Sequence, residues 1–180
     1  MPGSFAFIEP RARDRLQQAL ASLELAAAMR RPWALVETHR EAGRAYAAIG
    51  ALPSALAMLE QALRWSHAVG SVDARADLLC EWVELLAEQA DAAERLERGS
   101  GRPARERARD AIFEASQAAA RVADPRWEVT VLLRLSDVLD RFGDRDDATL
   151  LQMRALQLTV GHRPEAGPPR AQDAVSAQRH

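Results

Sequence analysis

Apolar positions recur every three to four residues along most of this chain, the spacing of helices that each bury one face. The first stripe, Leu16, Ala19-Leu20, Leu23 and Ala26-Ala27, predicts a helix from just after Pro10 to about Arg31. Arg30-Arg31 suit the negative end of its dipole, and Pro32 stops it. Two further helices are expected at about 33–49 and 53–68, joined by a turn at Gly50–Pro53. Pro53 falls in the first turn of the second, where its missing N–H costs nothing. Gly70-Ser71 opens a helix running to about Arg98, and Gly99-Ser100-Gly101-Arg102-Pro103 turns the chain into another that reaches Val122. Asp124 as a cap and Pro125 behind it begin a sixth pattern (Leu132, Leu135, Leu139), which ends at Gly143. A seventh carries Ala148 and Ala155-Leu156. The pattern predicts an all-α chain of about seven helices, with an N-terminal arm at 1–10. Residues 161–180, with three prolines and little apolar content, are expected to be a disordered tail.

The small residues keep a longer register. Ala42-Gly43, Tyr46, Gly50, Ala55, Leu59 and Ala62-Leu63 follow a 34-residue pattern of a small residue, an aromatic, a turn, then alanines, and this stretch resembles the tetratricopeptide repeat. Gly43 lies 12 residues before Ala55, and Ser136 lies 12 before Ala148; Gly143, Ala148 and Ala155 follow Gly50, Ala55 and Ala62 by 93 residues. Ala21, Leu25 and Ala28 precede Ala55, Leu59 and Ala62 by 34, which makes the first helix a half repeat. The resemblance implies a right-handed superhelix of antiparallel helix pairs (an α-α solenoid) over residues 11–160, divided into 11–31, 33–69, 71–122 and 125–160. The large aromatic of the family is missing at Leu59, Ala115 and Gln152.

The middle unit is stretched: Cys80 stands where Gly43 does, but its matching Ala111 lies 31 residues on, 19 more than elsewhere. The outgoing arm is acidic (Glu88, Asp91, Glu94, Glu97) and the returning arm basic (Arg102, Arg105, Arg107, Arg109). A charge-paired hairpin over 88–105 is therefore expected to overshoot the array by roughly 12–15 Å, with Ala90, Ala93 and Leu96 as its seam.

Arrays of this kind generally bind peptides or proteins on a concave face lined by the first helix of each pair. Aligned on the repeat, that face takes Glu37, Arg40 and Arg44, then Asp77, Glu81 and Glu84, then Asp137, Asp140 and Arg141. Segment 70–98 holds eight acidic and three basic residues, so the groove is expected to be mainly acidic and to prefer a basic partner segment. The competing expectation is an ordinary solvated face. With neither lysine nor asparagine in the chain, the carboxylate clamp of lysines and asparagines found in some tetratricopeptide proteins is excluded, as are Schiff-base and Walker-A chemistry.

The remaining chemistry points the same way. Net charge is −2, which gives no case for bulk binding to nucleic acid or anionic membranes. No apolar run approaches the ~20 residues of a membrane span, and the N-terminus lacks the pattern of a signal peptide. A single cysteine, Cys80, fits a reducing compartment, so a cytoplasmic location is expected, and the Ala- and Arg-rich usage suggests a GC-rich bacterial coding bias. His39, His67, His162 and His180 form no zinc spacing, and Asp140, Asp144, Asp146 and Asp147 do not follow a calcium loop. His39, Cys80, Trp65 and Trp82 read as packing residues. No catalytic constellation, cofactor or metal site is expected, and the reading is a non-enzymatic adaptor or scaffold. Two rivals are a nucleic-acid-binding protein using Arg102–Arg109 and a small all-α regulatory subunit acting through self-association. The acidic arm beside those arginines argues against nucleic acid; an exposed end face argues for homo-oligomers.

Overall fold

In a computed structural model that describes residues 10–96, 101–122 and 124–161, the chain is all α, with seven helices and no strand among the described residues. They are α1 (Pro10–Met29), α2 (Pro32–Ala48), α3 (Leu52–Val69), α4 (Val72–Arg95), α5 (Arg102–Arg121), α6 (Pro125–Phe142) and α7 (Arg145–Gly161). The arm at 1–9, the turn at 97–100 and the tail at 162–180 lie outside the described residues; Pro10 and Gly161 belong to helices.

The stops and starts follow from local chemistry. Gly50, Gly70 and Gly143 have φ of +75°, +74° and +82°, the left-handed conformation that ends a helix without a Cβ clash. Asp124 Oδ1 accepts from the Arg126 and Trp127 amides at 3.0 and 3.3 Å, so the expected cap on α6 is present. Ser71 caps α4 in the same way, accepting from Ala74 N at 3.3 Å.

Consecutive helices pack on one another, with the closest pairings α2 on α3, α4 on α5 and α6 on α7; α4 also meets α6. The core lies along α4, where Leu78, Leu79, Cys80, Val83 and Leu86 are almost fully enclosed. The nine small positions aligned in sequence are all buried: Gly43, Cys80 and Ser136; Ala55, Ala111 and Ala148; Ala62, Ala118 and Ala155. No described helix is long and apolar enough to cross a membrane.

Two points go beyond the sequence reading. Ala21, Leu25 and Ala28 do not pack as their counterparts in α3 do; they face solvent, with Leu25 62% exposed. Those positions bury only against a helix that precedes them, and the described residues contain none, so α1 instead lays Leu16, Leu20, Leu23 and Ala26 toward α2.

The second point is the hairpin. Of its expected seam, Ala90 is buried and Ala93 half-buried, but Leu96 is 59% exposed. Helix α4 ends at Arg95 rather than near Arg98 and has 24 residues against 17 in α2, an overshoot of roughly 10 Å. Arg105 and Glu94 pair across the arms, at 2.7 Å. Arg102 donates to Glu106 in its own helix, and Arg107 stacks over the Trp82 ring at 5.0 Å. Arg105 lies over the Phe142 ring at 5.4 Å, and Arg109 grips Asp144 through two hydrogen bonds of 2.7 and 2.9 Å. The returning arm thus fastens the hairpin to the end of α6, because guanidiniums near an aromatic ring and a turn carboxylate gain more there than against exposed acids.

Gly101 enters α5 with an ordinary φ of −64°, so its role is space: an added Cβ would sit 2.7 Å from the Ala90 carbonyl oxygen. Gly101→Ala should therefore destabilise the protein by about 1–3 kcal/mol in urea titration.

Candidate functional site

The nine residues expected to line a groove lie on α2, α4 and α6. Gly43 is buried where α2 meets α3; a Cβ there would come within 3.1 Å of the Leu59 side chain. Small side chains at this level let helices sit close, about 8–10 Å apart. That brings the polar flanks of α2, α4 and α6 within reach of one another.

Glu81 is the centre of the result. Arg40 donates to its Oε1 from Nε at 2.9 Å and from Nη2 at 2.5 Å, and Arg44 Nη2 donates to the same oxygen at 2.6 Å. Arg40 also lies 3.5 Å from Asp77, and Arg44 lies 3.2 Å from Glu41. The Glu81 side chain is only 14% exposed. Burial pushes its carboxyl up, but the hydrogen bonds and charges of Arg40 and Arg44 outweigh this and hold it below the ordinary value. The Arg44 guanidinium is held above its ordinary value, chiefly by its hydrogen bonding to Glu81.

On the other side of α4, Arg134 meets Glu84 as a fork, with N–O distances of 2.9 and 3.0 Å, and Arg141 meets Asp91 at 2.6 Å. Hydrogen bonding to Glu84 raises the Arg134 pKa. Both pairs are separated by 50 residues, as parallel helices in register require. Arg134 and Asp91 escaped the sequence reading as part of this face. The recurring separation was the available signal, but many charges share it by chance.

The structure therefore gathers Arg40, Arg44, Asp77 and Glu81 into one cluster and splits off the rest. Glu84 and Arg141 pair with α6 and α4 respectively, and Asp140 accepts from Gln152 Nε2 at 3.3 Å. Glu37, Glu88 and Asp137 have no ion-pair partner among the described residues. Every arginine of the face is engaged, while three acids are not. A cleft of about 280 Å³ opens beside Glu81, lined also by Arg44, Leu59, Glu84, Leu85 and Glu88. A second, of about 590 Å³, lies between α1 and α2 and includes Gln18, Glu37, Glu41 and Arg44. Arg44 borders both.

The residues read as packing groups are partly or fully enclosed. Burial pushes the Cys80 thiol up to about 12. His39 is half-buried and kept below its ordinary pKa by desolvation, and its Nδ1 has no partner. It lines an apolar cleft with Leu23, Leu35 and Trp65. Trp65 and Trp82 pack against the core. Among the described residues no three His, Cys, Asp or Glu side chains converge as a metal site.

Compared with known proteins, the chain matches no family model and no curated protein sequence.

Glu81→Gln should cost about 2 kcal/mol at pH 7, because Arg40 is left half-buried with only Asp77. Since the folded pKa of Glu81 is depressed, its contribution is complete above the unfolded value and lost as pH falls through the folded one. The wild-type advantage over Glu81→Gln in chemical denaturation should thus be full at pH 7 and shrink below about pH 4. Cys80, with its high pKa, should react with iodoacetamide at pH 8 at least roughly a thousandfold more slowly than an exposed thiol.

Proposed function

We propose that this chain is a non-enzymatic adaptor or scaffold: a tetratricopeptide-like, right-handed array of helix pairs that binds a protein or peptide segment on the concave face of α2, α4 and α6. The observation that carries the reading is the charge balance of that face. Arg40, Arg44, Arg134 and Arg141 are each held by a carboxylate, whereas Glu37, Glu88 and Asp137 are not paired. Glu88 and Glu37 each line a cleft that aliphatic side chains also line, so an arginine- or lysine-bearing segment meets uncancelled negative charge there. The ion pairs made by Glu81 and Glu84 hold the first helices of the pairs together and are poor candidates for direct exchange with a partner.

This reading needs no cofactor or metal and is compatible with a cytoplasmic setting in a bacterium. The nucleic-acid rival is less favoured, because Arg105, Arg107 and Arg109 are committed to Glu94, Trp82, Phe142 and Asp144. Phosphate contacts would have to break those interactions.

The reading is tested by fluorescence anisotropy with a library of short labelled peptides, half basic and half acidic. Basic peptides should bind preferentially, with affinity falling as salt rises. Glu88→Arg combined with Asp137→Arg should weaken that binding at least about tenfold while leaving thermal stability unchanged, since neither acid serves an internal pair. Equal affinity of the double variant, or no binding of any basic peptide at about 1 mM, would sink the groove reading.

A further inference from the structure

Helix α7 is the last described helix, and its outer side is apolar. Leu150, Met153, Leu156 and Val160 are 63%, 54%, 62% and 67% exposed. Their spacing of three, three and four residues sets them on one side of the helix, opposite the buried Ala148 and Ala155. A helix that is apolar on both sides is a helix meant to be covered on both sides.

The charge distribution sharpens this. Between Ala148 and Gly161 the one charged residue is Arg154, and its guanidinium is drawn inward to Glu128 at 2.6 Å. Glu128 itself is buried, on the first turn of α6. That ion pair offsets the Arg154 charge beside the outer face of α7, with the arginine side chain itself still 46% exposed. At the aligned positions α3 carries Ala57, Glu60, Leu63 and His67 where α7 has Leu150, Met153, Leu156 and Val160, so α7 replaces a small and two polar residues by large apolar ones.

We propose that this face of α7 is a homodimer interface, in which two copies of the chain pack α7 against α7 antiparallel about a two-fold axis near residue 155. The C-terminal segment of the chain offers no better cover. Residues 162–180 contain no leucine, isoleucine, methionine, phenylalanine, tyrosine or tryptophan, and Val175 is their one large aliphatic. The opposite end is a mixed match, because the exposed side of α1 presents Arg11, Arg13, Asp14, Arg15 and Glu24 beside the apolar Ala21, Leu25 and Met29. Burying those charges against an uncharged stripe would leave them without partners. A second α7 has no such penalty. The antiparallel two-fold sets Leu150 of one copy opposite Val160 of the other, with Met153 and Leu156 of both copies between them. At roughly 100 Å² for each exposed side chain, the eight of them cover about 800 Å², and the rim must supply the further ~400 Å² to reach the ~1,200 Å² at which specific interfaces begin.

The interface lies on a different helix from the proposed peptide groove, and its test is independent of that reading. Sedimentation equilibrium of the full chain from about 1 to 100 µM should show a mass rising to twice 19.8 kDa and no further. Leu150→Glu and Val160→Arg should each raise the dissociation constant at least about a hundredfold, because each removes two symmetric contacts. An equimolar mixture of the two variants should dimerise again, since an antiparallel pairing opposes the new acid to the new base. Leu25→Glu on α1 and Glu88→Arg with Asp137→Arg on the groove should leave the dimer intact. Both α7 side chains are mostly exposed, so helicity and melting temperature of the monomeric variants check that they remain folded. A wild-type mass of 19.8 kDa at every concentration would overturn the proposal. So would a mixture that stays monomeric, or a mass that grows beyond two copies and falls with Leu25→Glu, the signature of head-to-tail stacking.

Discussion

Everything in this structure depends on helices being able to come close at their crossings. Gly43 meets Leu59, Gly101 meets the Ala90 backbone, and Ala55, Ala111 and Ala148 are enclosed at equivalent points. With larger side chains the axes would separate beyond about 10 Å and the flanking positions would no longer touch. Arg40 and Arg44 reach Glu81, and Arg134 reaches Glu84, because α2, α4 and α6 pass within one long side chain of each other. The ionic ladder is thus a consequence of the small-residue register, and it gives that register an orientation: each pair forms only when the helices run parallel and in step.

Those pairs differ in weight. Glu81 is the most enclosed carboxylate of the face, and the loss of its hydration is outweighed by two guanidiniums rather than one. Glu84–Arg134 is half exposed and Asp91–Arg141 more so, so solvent screens them and each contributes less. A partner segment bearing arginine would find Glu81 already committed and meet the outlying acids first. On the proposed reading, rigidity at the centre and unpaired acids at the edge would let one face both hold the helices and attract a basic ligand.

The sequence was a good guide wherever one local rule decided the outcome. Helix number and type, the turns at Gly50, Gly70 and Gly143, the Asp124 cap and the burial of the small positions follow from period and turn chemistry within a few residues. It misled where the outcome depended on what lay beside a residue in space. Ala21, Leu25 and Ala28 have the right spacing for burial, but no described helix covers them. The arginines of the returning arm have a complementary acidic arm next to them, yet Phe142 and Asp144, more than 30 residues away, take two of them. The acidic run of α4 likewise hid its partners, since Arg40, Arg44, Arg134 and Arg141 lie on other helices and a net count along the segment sees none of them.

The two ends of the array show the same logic in its final form. The first and last described helices each pack on one neighbouring helix and leave the other side without a described one. At α1 that side is broken by arginines and acids, and water solvates it well. At α7 a buried glutamate offsets the one nearby charge, and four large aliphatic side chains lie in the open. Placing Glu128 in the core is costly unless it is fully paired, and an exposed arginine would have served solubility better on the outside. The arrangement becomes economical if the outer face of α7 is itself an interior surface, closed by the same helix from another molecule.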